Sequence, residues 1–371
     1  MRVVIAPDSF KGSIPAAAAA EALADGWRSA ASARPTPEIE LRPMADGGEG
    51  TLEAFAAAVP GARRMPVRAT GPDGAEHDAH WLRLPATAES PDGIGVVELA
   101  STSGIELLGD RRRPWDADTT GFGQAIRAAL DAGVSRLVLG IGSSASTDGG
   151  TGILRSLGAR FLDDHGDPVP PGARGLRMLA SVDLSHLRPT PPGGVLVIAD
   201  VRSPLVGPRG AAAVFGPQKG FRDAELAEVD AGLNRLAALI GGDPALPGAG
   251  AAGGAGFALA RWSAQLTPGA AEVAELIGLP DAIAGASLVI TGEGRYDGQS
   301  ADGKAPAHVA ALARSAGVPV ALVAGQIAPD APVAAYAESI DLSVLAGGAS
   351  AALADPARWL RAAGAALARQ F

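Results

Sequence analysis

Both ends of the chain repeat one pattern, in which a short apolar run is followed by a Gly- or Asp-rich loop and then by a helix-like segment. Near the N-terminus the apolar runs are residues 3–6 and 39–44, and near the C-terminus they are 287–291, 319–324 and 342–345. Strands that alternate with helices build a parallel sheet with crossover helices. We therefore predict that the two ends form one five-stranded, doubly wound sheet.

The middle of the chain differs, because its short strand-like runs are separated by Pro, Gly and Asp and are mixed with helical segments. A chain of 371 residues also exceeds what one hydrophobic core usually supports. We predict an α/β protein with a discontinuous Rossmann- or flavodoxin-like domain, formed by residues 1–65 and 281–371. Residues 66–280 are predicted to form an inserted, mixed α/β second domain.

The composition excludes several classes of function. The formal net charge is -9, aromatic residues make up 4%, and no basic stripe is present, so no nucleic-acid partner is expected. The absence of cysteine excludes disulfides, thiolate metal sites and cysteine nucleophiles. No apolar stretch reaches transmembrane length and the first residues do not resemble a signal peptide, so we expect no membrane partner and a cytoplasmic location.

The loop after the first predicted strand carries four polar residues within six positions. Asp8, Ser9, Lys11 and Ser13 follow the apolar run directly. Ligands of open α/β sheets bind outside the carboxyl ends of the strands, so these side chains can hold a metal ion and a phosphate group. The alternative is an ordinary connecting loop with a helix cap.

The loop after the second predicted strand is glycine-rich. The backbone amides of Gly47 and Gly48 can approach an anion, and the start of the next helix adds partial positive charge. Asp46 and Glu49 are candidate ligands of Mg²⁺. A glycine-rich turn without a ligand explains the same residues equally well.

A third loop combines glycines with small hydroxyl residues between a predicted strand and a predicted helix. Ser143, Ser144 and Gly149, with Asp148 between them, can cradle phosphate oxygens through hydroxyl and amide groups. Further along, Asp200 follows an apolar run and Lys219 stands in a short turn, where it can contact a phosphate or a carboxylate; a surface turn is the alternative.

The last polar loop lies near the C-terminal strands. Glu293 and Asp297 are candidate magnesium ligands, and Arg295 can bind a carboxylate or a phosphate through two parallel hydrogen bonds. A GxxxxGK spacing ends at Lys304, but we interpret it as a chance match because Ala305 stands where a P-loop has Ser or Thr. Lys304 can still contact phosphate at the start of a helix.

Acidic residues, glycines and isolated Lys or Arg thus recur at several predicted strand ends. This combination is typical of Mg²⁺-assisted phosphoryl transfer, in which catalysis consists of positioning and charge neutralisation. From the residues alone, the sequence indicates an α/β enzyme that handles phosphate.

Eight blocks, in order along residues 1 to 310, resemble the type I glycerate kinase family. They read APDSFKGS, PMADGGEGT, ELASTSGIELL, DADTTGFGQAI, GIGSSASTDGGTG, SPLVGPRGAAAVFGPQKG, PGAGAAGG and LVITGEGRYDGQSADGKAP. The resemblance implies a Mg-ATP-dependent kinase that phosphorylates D-glycerate, with 2-phosphoglycerate as the favoured product. It also implies ATP and Mg²⁺ as cofactors and an active site in the cleft between the two domains. The oligomeric state is left open between a monomer and a homodimer.

We hypothesise four catalytic residues on this basis. Arg295 or Lys11 is placed against the glycerate carboxylate, and Asp8 or Asp200 accepts or orients the hydroxyl proton. Two other functions remain open, namely a kinase of another small hydroxy acid and a catalytically silent module that binds sugar acids.

Overall fold

The computed structural model describes residues 1–30, 37–298 and 305–371. Its strands are β1 Arg2–Pro7, β2 Glu38–Leu41, β3 Arg63–Thr70, β4 Glu76–Leu84, β5 Ile94–Glu98, β6 Arg136–Gly140, β7 Arg160–Leu162, β8 Ser181–Asp183, β9 Val195–Ile198, β10 Gln265–Thr267, β11 Leu288–Tyr296, β12 Val320–Ile327 and β13 Glu338–Asp341. Short 3₁₀ turns cover Ile105–Leu108, Pro217–Lys219 and Val333–Ala335.

The helices are α1 Ala16–Ala30, α2 Thr51–Ala58, α3 Ala100–Ser103, α4 Thr120–Asp131, α5 Thr151–Ser156, α6 Gly172–Met178, α7 Ala211–Phe215, α8 Asp223–Ile240, α9 Ala251–Arg261, α10 Gly269–Leu276, α11 Leu279–Ala284, α12 Ala305–Ser315, α13 Leu342–Leu345, α14 Ala349–Ala354 and α15 Pro356–Gln370. Among the described residues, no helix is both long enough and apolar enough to cross a membrane.

The chain divides into two compact units. Unit 1 comprises Met1–Asp46, Glu53–Pro60 and Gly269–Phe371, and unit 2 comprises Gly47–Leu52 and Gly61–Pro268. Each unit has its own sheet and its own apolar core.

Unit 1 is built on a five-stranded parallel sheet in the order β13-β12-β11-β1-β2. The apolar run Val3, Val4 and Ile5 of β1 is fully buried, as expected for a central parallel strand with helices on both faces. The two ends of the chain thus share one sheet, which confirms the predicted α/β class.

The order in which the chain adds strands to this sheet changes side at β1. The strand β2 lies on one side of β1 and β11 lies on the other, so the switch in strand order falls between β1 and β11. The register pairs Pro7 with Gly292, which places Asp8 and Glu293 at adjacent carboxyl ends. Open α/β sheets bind their ligands at such a switch point.

One predicted strand is wrong in position. Residues 342–345 form helix α13, and the fifth strand β13 precedes it. The Asp341 carboxylate accepts hydrogen bonds from the backbone N–H groups of Ser343 and Val344, so it caps a helix at the point where the apolar run suggested a strand.

Unit 2 contains a six-stranded mixed sheet in the order β10-β9-β6-β5-β4-β3. The strands β10, β9, β6 and β5 are parallel, whereas β4 and β3 run antiparallel to their neighbours. The carboxyl ends of β5, β6 and β9 therefore meet at one edge, and the loop that leaves β6 there contains four of the predicted phosphate-binding residues, namely Ser143, Ser144, Asp148 and Gly149.

Helices α1 and α15 pack so closely in unit 1 that their backbones are in contact. A methyl group on Gly364 would lie 2.1 Å from the Leu23 carbonyl oxygen, and one on Gly26 would lie 1.9 Å from that of Arg361. Only glycine permits this separation.

We predict that Gly364→Ala destabilises the protein, because the added methyl group forces α1 and α15 apart at a cost of about 1–3 kcal/mol. In an uncrowded helix the same exchange would stabilise by about 1 kcal/mol. Urea unfolding measures the free energy of unfolding. The variant Ala365→Gly, one position along α15, measures the effect of helix propensity alone. A Gly364→Ala variant as stable as the parent would contradict the packing argument.

Candidate functional site

The carboxyl end of the unit 1 sheet holds a group of carboxylates. Asp8 directly follows β1, is only 8% exposed, and accepts a 2.7 Å hydrogen bond at Oδ1 from the Ser9 backbone N–H. Burial, together with the negative charges of Asp46 and Glu293, raises the pKa of Asp8 to about 7, although the Ser9 hydrogen bond and Lys11 oppose the shift. Negative charge is thus concentrated at the switch point.

Lys11 brings a positive charge to the same group. Its Nζ lies 2.7 Å from Asp46 Oδ2, and its side chain is 78% exposed. Ser13 is also exposed, in a tight turn in which its backbone N–H donates to the Phe10 carbonyl oxygen. The loop after β1 therefore offers solvent-facing donors beside a buried carboxylate.

The strand β11 is longer than predicted and carries candidate residues itself. It extends from the expected end at residue 291 to Tyr296, pairing with β12 as far as Ile327. A side chain on Gly292 would meet the Val323 carbonyl oxygen at 2.0 Å, so this glycine is required by the close approach of the neighbouring strand. Glu293 is consequently a buried strand residue and not a loop residue.

The residues beyond Glu293 are more exposed. The Arg295 side chain is 69% exposed, and its Nε lies 3.7 Å from Asp297 Oδ2. The guanidinium is therefore accessible for bidentate recognition of an anion. Lys304 lies outside the described residues.

In unit 2, Gly47 and Gly142 are required by backbone packing. The Gly142 N–H donates to the Gly47 carbonyl oxygen at 2.8 Å, and a side chain on Gly47 would lie 2.4 Å from the Ile198 carbonyl oxygen. A side chain on Gly142 would lie 2.5 Å from the Gly48 Cα. These glycines thus allow the loop to pack against the ends of β6 and β9.

The start of α2 already has an anionic partner. The buried carboxylate of Glu98 accepts a 3.0 Å hydrogen bond from the Leu52 backbone N–H. Sequence reasoning missed this residue, although an acidic residue at the end of a buried strand was a signal for it. Glu49, in contrast, is exposed.

The loop after β6 is held in shape by Asp148. This fully buried carboxylate accepts hydrogen bonds from the backbone N–H of Thr119, from its hydroxyl, and from the backbone N–H groups of Gly150 and Gly152. The Gly149 N–H donates to the Gly253 carbonyl oxygen at 3.0 Å. The polar groups around the start of α5 are therefore largely engaged within unit 2.

Lys219 is buried, with 3% of its surface exposed. Its Nζ donates to Ser144 Oγ at 2.8 Å and to the Ser146 carbonyl oxygen. Burial lowers the pKa of Lys219 to about 7, and the nearby Asp148 charge opposes this shift. The ammonium group joins the turn Pro217–Lys219 to the loop after β6.

Two further hydroxyls in this loop were not selected from the sequence. Ser146 Oγ and Thr147 Oγ1 are buried and have no hydrogen-bond partner within residues 1–30, 37–298 and 305–371. A side chain on Gly253 would meet the Ser146 carbonyl oxygen at 2.1 Å, so the Ala- and Gly-rich block PGAGAAGG, which contains Gly253, packs tightly on this loop. Asp200 is exposed and follows β9 closely.

The predicted site residues within the described part of the chain are divided between the two units. Unit 1 holds one group, consisting of Asp8, Ser9, Lys11, Ser13, Asp46, Glu293, Arg295 and Asp297. Unit 2 holds the other group, consisting of Gly47, Gly48, Glu49, Ser143, Ser144, Asp148, Gly149, Asp200 and Lys219.

We predict that Lys219 makes stability depend on pH above neutrality. Below pH 7 the amine is charged in both the folded and the unfolded chain. Between pH 7 and its ordinary pKa of 10.5, only the unfolded chain holds the proton, so the free energy of unfolding rises by up to about 1.4 kcal/mol per pH unit. Urea unfolding of the wild type and of Lys219→Met from pH 7 to 9 measures this rise. Equal slopes in both proteins would contradict the assignment.

Comparison with known proteins gives a consistent result. The glycerate kinase family model matches residues 3–371. The glycerate kinase of Bacillus subtilis is 42% identical over 352 residues, covering 92% of this chain and 89% of that protein. The glycerate 2-kinase of Escherichia coli is 40% identical over 344 residues, covering 90% and 87%.

A solved structure agrees with these relatives. The crystal structure of a Salmonella typhimurium LT2 protein, assigned as glycerate kinase 2, superposes with a TM-score of 0.83 at 36% identity and covers 100% of this chain and 98% of that one. These matches confirm the resemblance carried by the sequence blocks. The chain therefore belongs to the glycerate kinase family, and as a kinase it takes its phosphoryl group from ATP.

Proposed function

We propose that the protein transfers the γ-phosphoryl group of ATP to the 2-hydroxyl of D-glycerate, giving 2-phosphoglycerate. Relatives named glycerate kinase and glycerate 2-kinase support the substrate and the position. The observation that carries the proposal is the group at the switch point of unit 1, where buried carboxylates adjoin an exposed amine and an exposed guanidinium.

Asp8 is proposed as the group that accepts the hydroxyl proton. It stands at the switch point, and burial keeps it from full hydration. Lys11 and Arg295 supply positive charge from exposed positions, where they can bind the glycerate carboxylate. Asp200 is the second candidate base, since it is exposed near the end of β9.

Mg²⁺ is proposed as the metal cofactor. In the described part of the chain, no three acidic, His or Cys side chains converge as a ready-made metal site. Kinases commonly bind Mg²⁺ through only one or two carboxylates together with substrate phosphates. The mutual repulsion at Asp8 shows that Asp46 and Glu293 concentrate negative charge, which suits this arrangement. Asp297 and Glu49 are further candidates, and the ion neutralises phosphate charge when it is bound.

The phosphate contacts are assigned to the loop after β6. Ser143 and Ser144 supply hydroxyl groups there, whereas Asp148 and the Gly149 amide are engaged in holding the loop. Gly47 and Gly48 support the same edge of the sheet, and Lys304 stays a prediction.

Four broader expectations remain part of the proposal. A cytoplasmic location suits an enzyme that consumes ATP, and both a monomer and a homodimer are compatible with the proposed reaction. The predicted domain limits at 65/66 and 280/281, and the predicted cleft with its active site, stay predictions.

Phosphorus NMR of a mixture with D-glycerate and Mg-ATP tests the function. We expect ADP and the resonance of 2-phosphoglycerate. Turnover with a related hydroxy acid in place of glycerate would favour the other acceptor, and glycerate binding without ADP release would favour the silent binding module.

We predict that Asp8→Asn lowers kcat by about 10²- to 10⁴-fold, because the amide cannot accept the proton. The fold should be retained, since the amide oxygen can still accept the Ser9 N–H and the exchange removes a buried charge. Steady-state kinetics with circular dichroism measures both effects.

Asp281→Asn is the matched control, because this exposed aspartate of unit 1 lies in α11, which precedes the amino end of β11, whereas the proposed site lies at the carboxyl end. A near-normal kcat in the folded Asp8→Asn protein would remove Asp8 from the catalytic role.

A further inference from the structure

Lysine is rare in this protein. Only Lys11, Lys219 and Lys304 occur among the 31 basic residues, and arginine supplies all the others. Lys219 is also buried, where a compact ammonium group fits and a planar guanidinium needs more room and more acceptors. Its position therefore calls for an amine in particular.

The hydrogen bonds of Lys219 fix the direction of a neighbouring hydroxyl. In its charged form Lys219 only donates, so Ser144 Oγ then accepts from Lys219 Nζ across 2.8 Å, and a bound anion nearby favours that charged form. The hydroxyl hydrogen of Ser144 must then point elsewhere, and no acceptor in the described part of the chain receives it. Ser144 thus presents an oriented donor.

Other residues of the loop after β6 are also strained or have hydroxyl groups without a hydrogen-bond partner. Ser143 adopts a left-handed backbone conformation with φ 59°, which is unfavourable for a residue with a side chain. The buried hydroxyls of Ser146 and Thr147 lack partners among the described residues. Buried polar groups are nearly always satisfied, so a loop with several exceptions suits a segment whose remaining partners belong to a ligand.

We propose that Lys219 is a positioning residue for ATP, acting through Ser144. It holds the Ser144 hydroxyl so that this group donates to a phosphate oxygen, and Lys219 does not itself contact the phosphate. Two of its three N–H groups are already engaged within the protein. The inference rests on the proposed function and revises the direct phosphate contact expected from the sequence.

A double-mutant cycle separates action through Ser144 from direct contact. Lys219→Met, Ser144→Ala and the double variant are compared by calorimetric titration with Mg-ATP in the absence of glycerate. A hydrogen bond to a charged group corresponds to about a 10- to 100-fold change in Kd. We expect the Kd for Mg-ATP to rise by that factor in each single variant. In the double variant we expect it to rise no more than in the more strongly affected single variant. The proposal would be overturned if the fold-changes in Kd of the two single variants multiplied in the double variant, or if Lys219→Met left Kd unchanged.

Steady-state kinetics supplies a readout that a purely structural defect would not give. We expect Lys219→Met to raise KM for ATP and to leave KM for glycerate within about twofold, because only the phosphate donor is misplaced. Arg209→Met is the matched control, since it removes an exposed positive charge from unit 2, and it should change neither constant. Equal rises in both constants would count against the proposal.

The absence of cysteine allows a chemical rescue. In Lys219→Cys the new thiol is unique, and alkylation with 2-bromoethylamine in denaturant, followed by refolding, restores an amine at nearly the original length. Iodoacetamide, which leaves a neutral amide, is the matched reagent. Tight Mg-ATP binding should return only with the amine, whereas equal affinity after both reagents would overturn the proposal.

The two proposals can fail separately. If the wild type binds Mg-ATP and the cycle is non-additive but no phosphoglycerate forms, the proposed function fails and the positioning role stands. If the wild type phosphorylates glycerate but the cycle is additive, only the positioning role fails. A wild type that does not bind Mg-ATP would overturn both.

Discussion

The parallel hydrogen-bonding register between β1 and β11 is the interaction on which the unit 1 site depends. It joins residues about 285 positions apart in sequence, pairing Val4 with Val289, and the Thr291 hydroxyl donates to the Ala6 carbonyl oxygen at 2.9 Å. A shift of this register would separate Asp8 from Glu293. The chemistry of unit 1 therefore rests on a contact between the two ends of the chain.

Near its functional loops, each unit buries one group whose pKa lies near 7, and burial shifts these two pKa values in opposite directions. The pKa of Asp8 rises to about 7 and that of Lys219 falls to about 7. Burial disfavours the charged form of each, which costs stability, and such costs are typical of sites that bind charged ligands. The carboxylates of unit 1 suit a cation and the hydroxyl loop of unit 2 suits an anion, as the proposed reaction with Mg-ATP requires.

The unit 1 sheet and the positions of four of its five strands were predictable, because β-branched runs followed by polar loops locate buried parallel strands directly, but the strand ends were not, since β11 extends to Tyr296. The strand expected at 342–345 failed because a four-residue apolar run does not distinguish a strand from a short helix, and the Asp341 cap decides the outcome. The contact of Lys219 with Ser144 joins residues 75 positions apart, so no local sequence pattern predicts it. From the sequence, Gly47 was predicted to contact an anion through its backbone amide. Its close approach to Ile198 depends on tertiary packing, which the sequence does not show.

The most direct test of the central claim is a crystal structure with D-glycerate and a non-hydrolysable ATP analogue bound. The account predicts the glycerate 2-hydroxyl within hydrogen-bonding distance of the Asp8 carboxylate, and analogue phosphate oxygens within hydrogen-bonding distance of the Ser144 hydroxyl. Glycerate bound away from the carboxyl ends of β1 and β11 would contradict it.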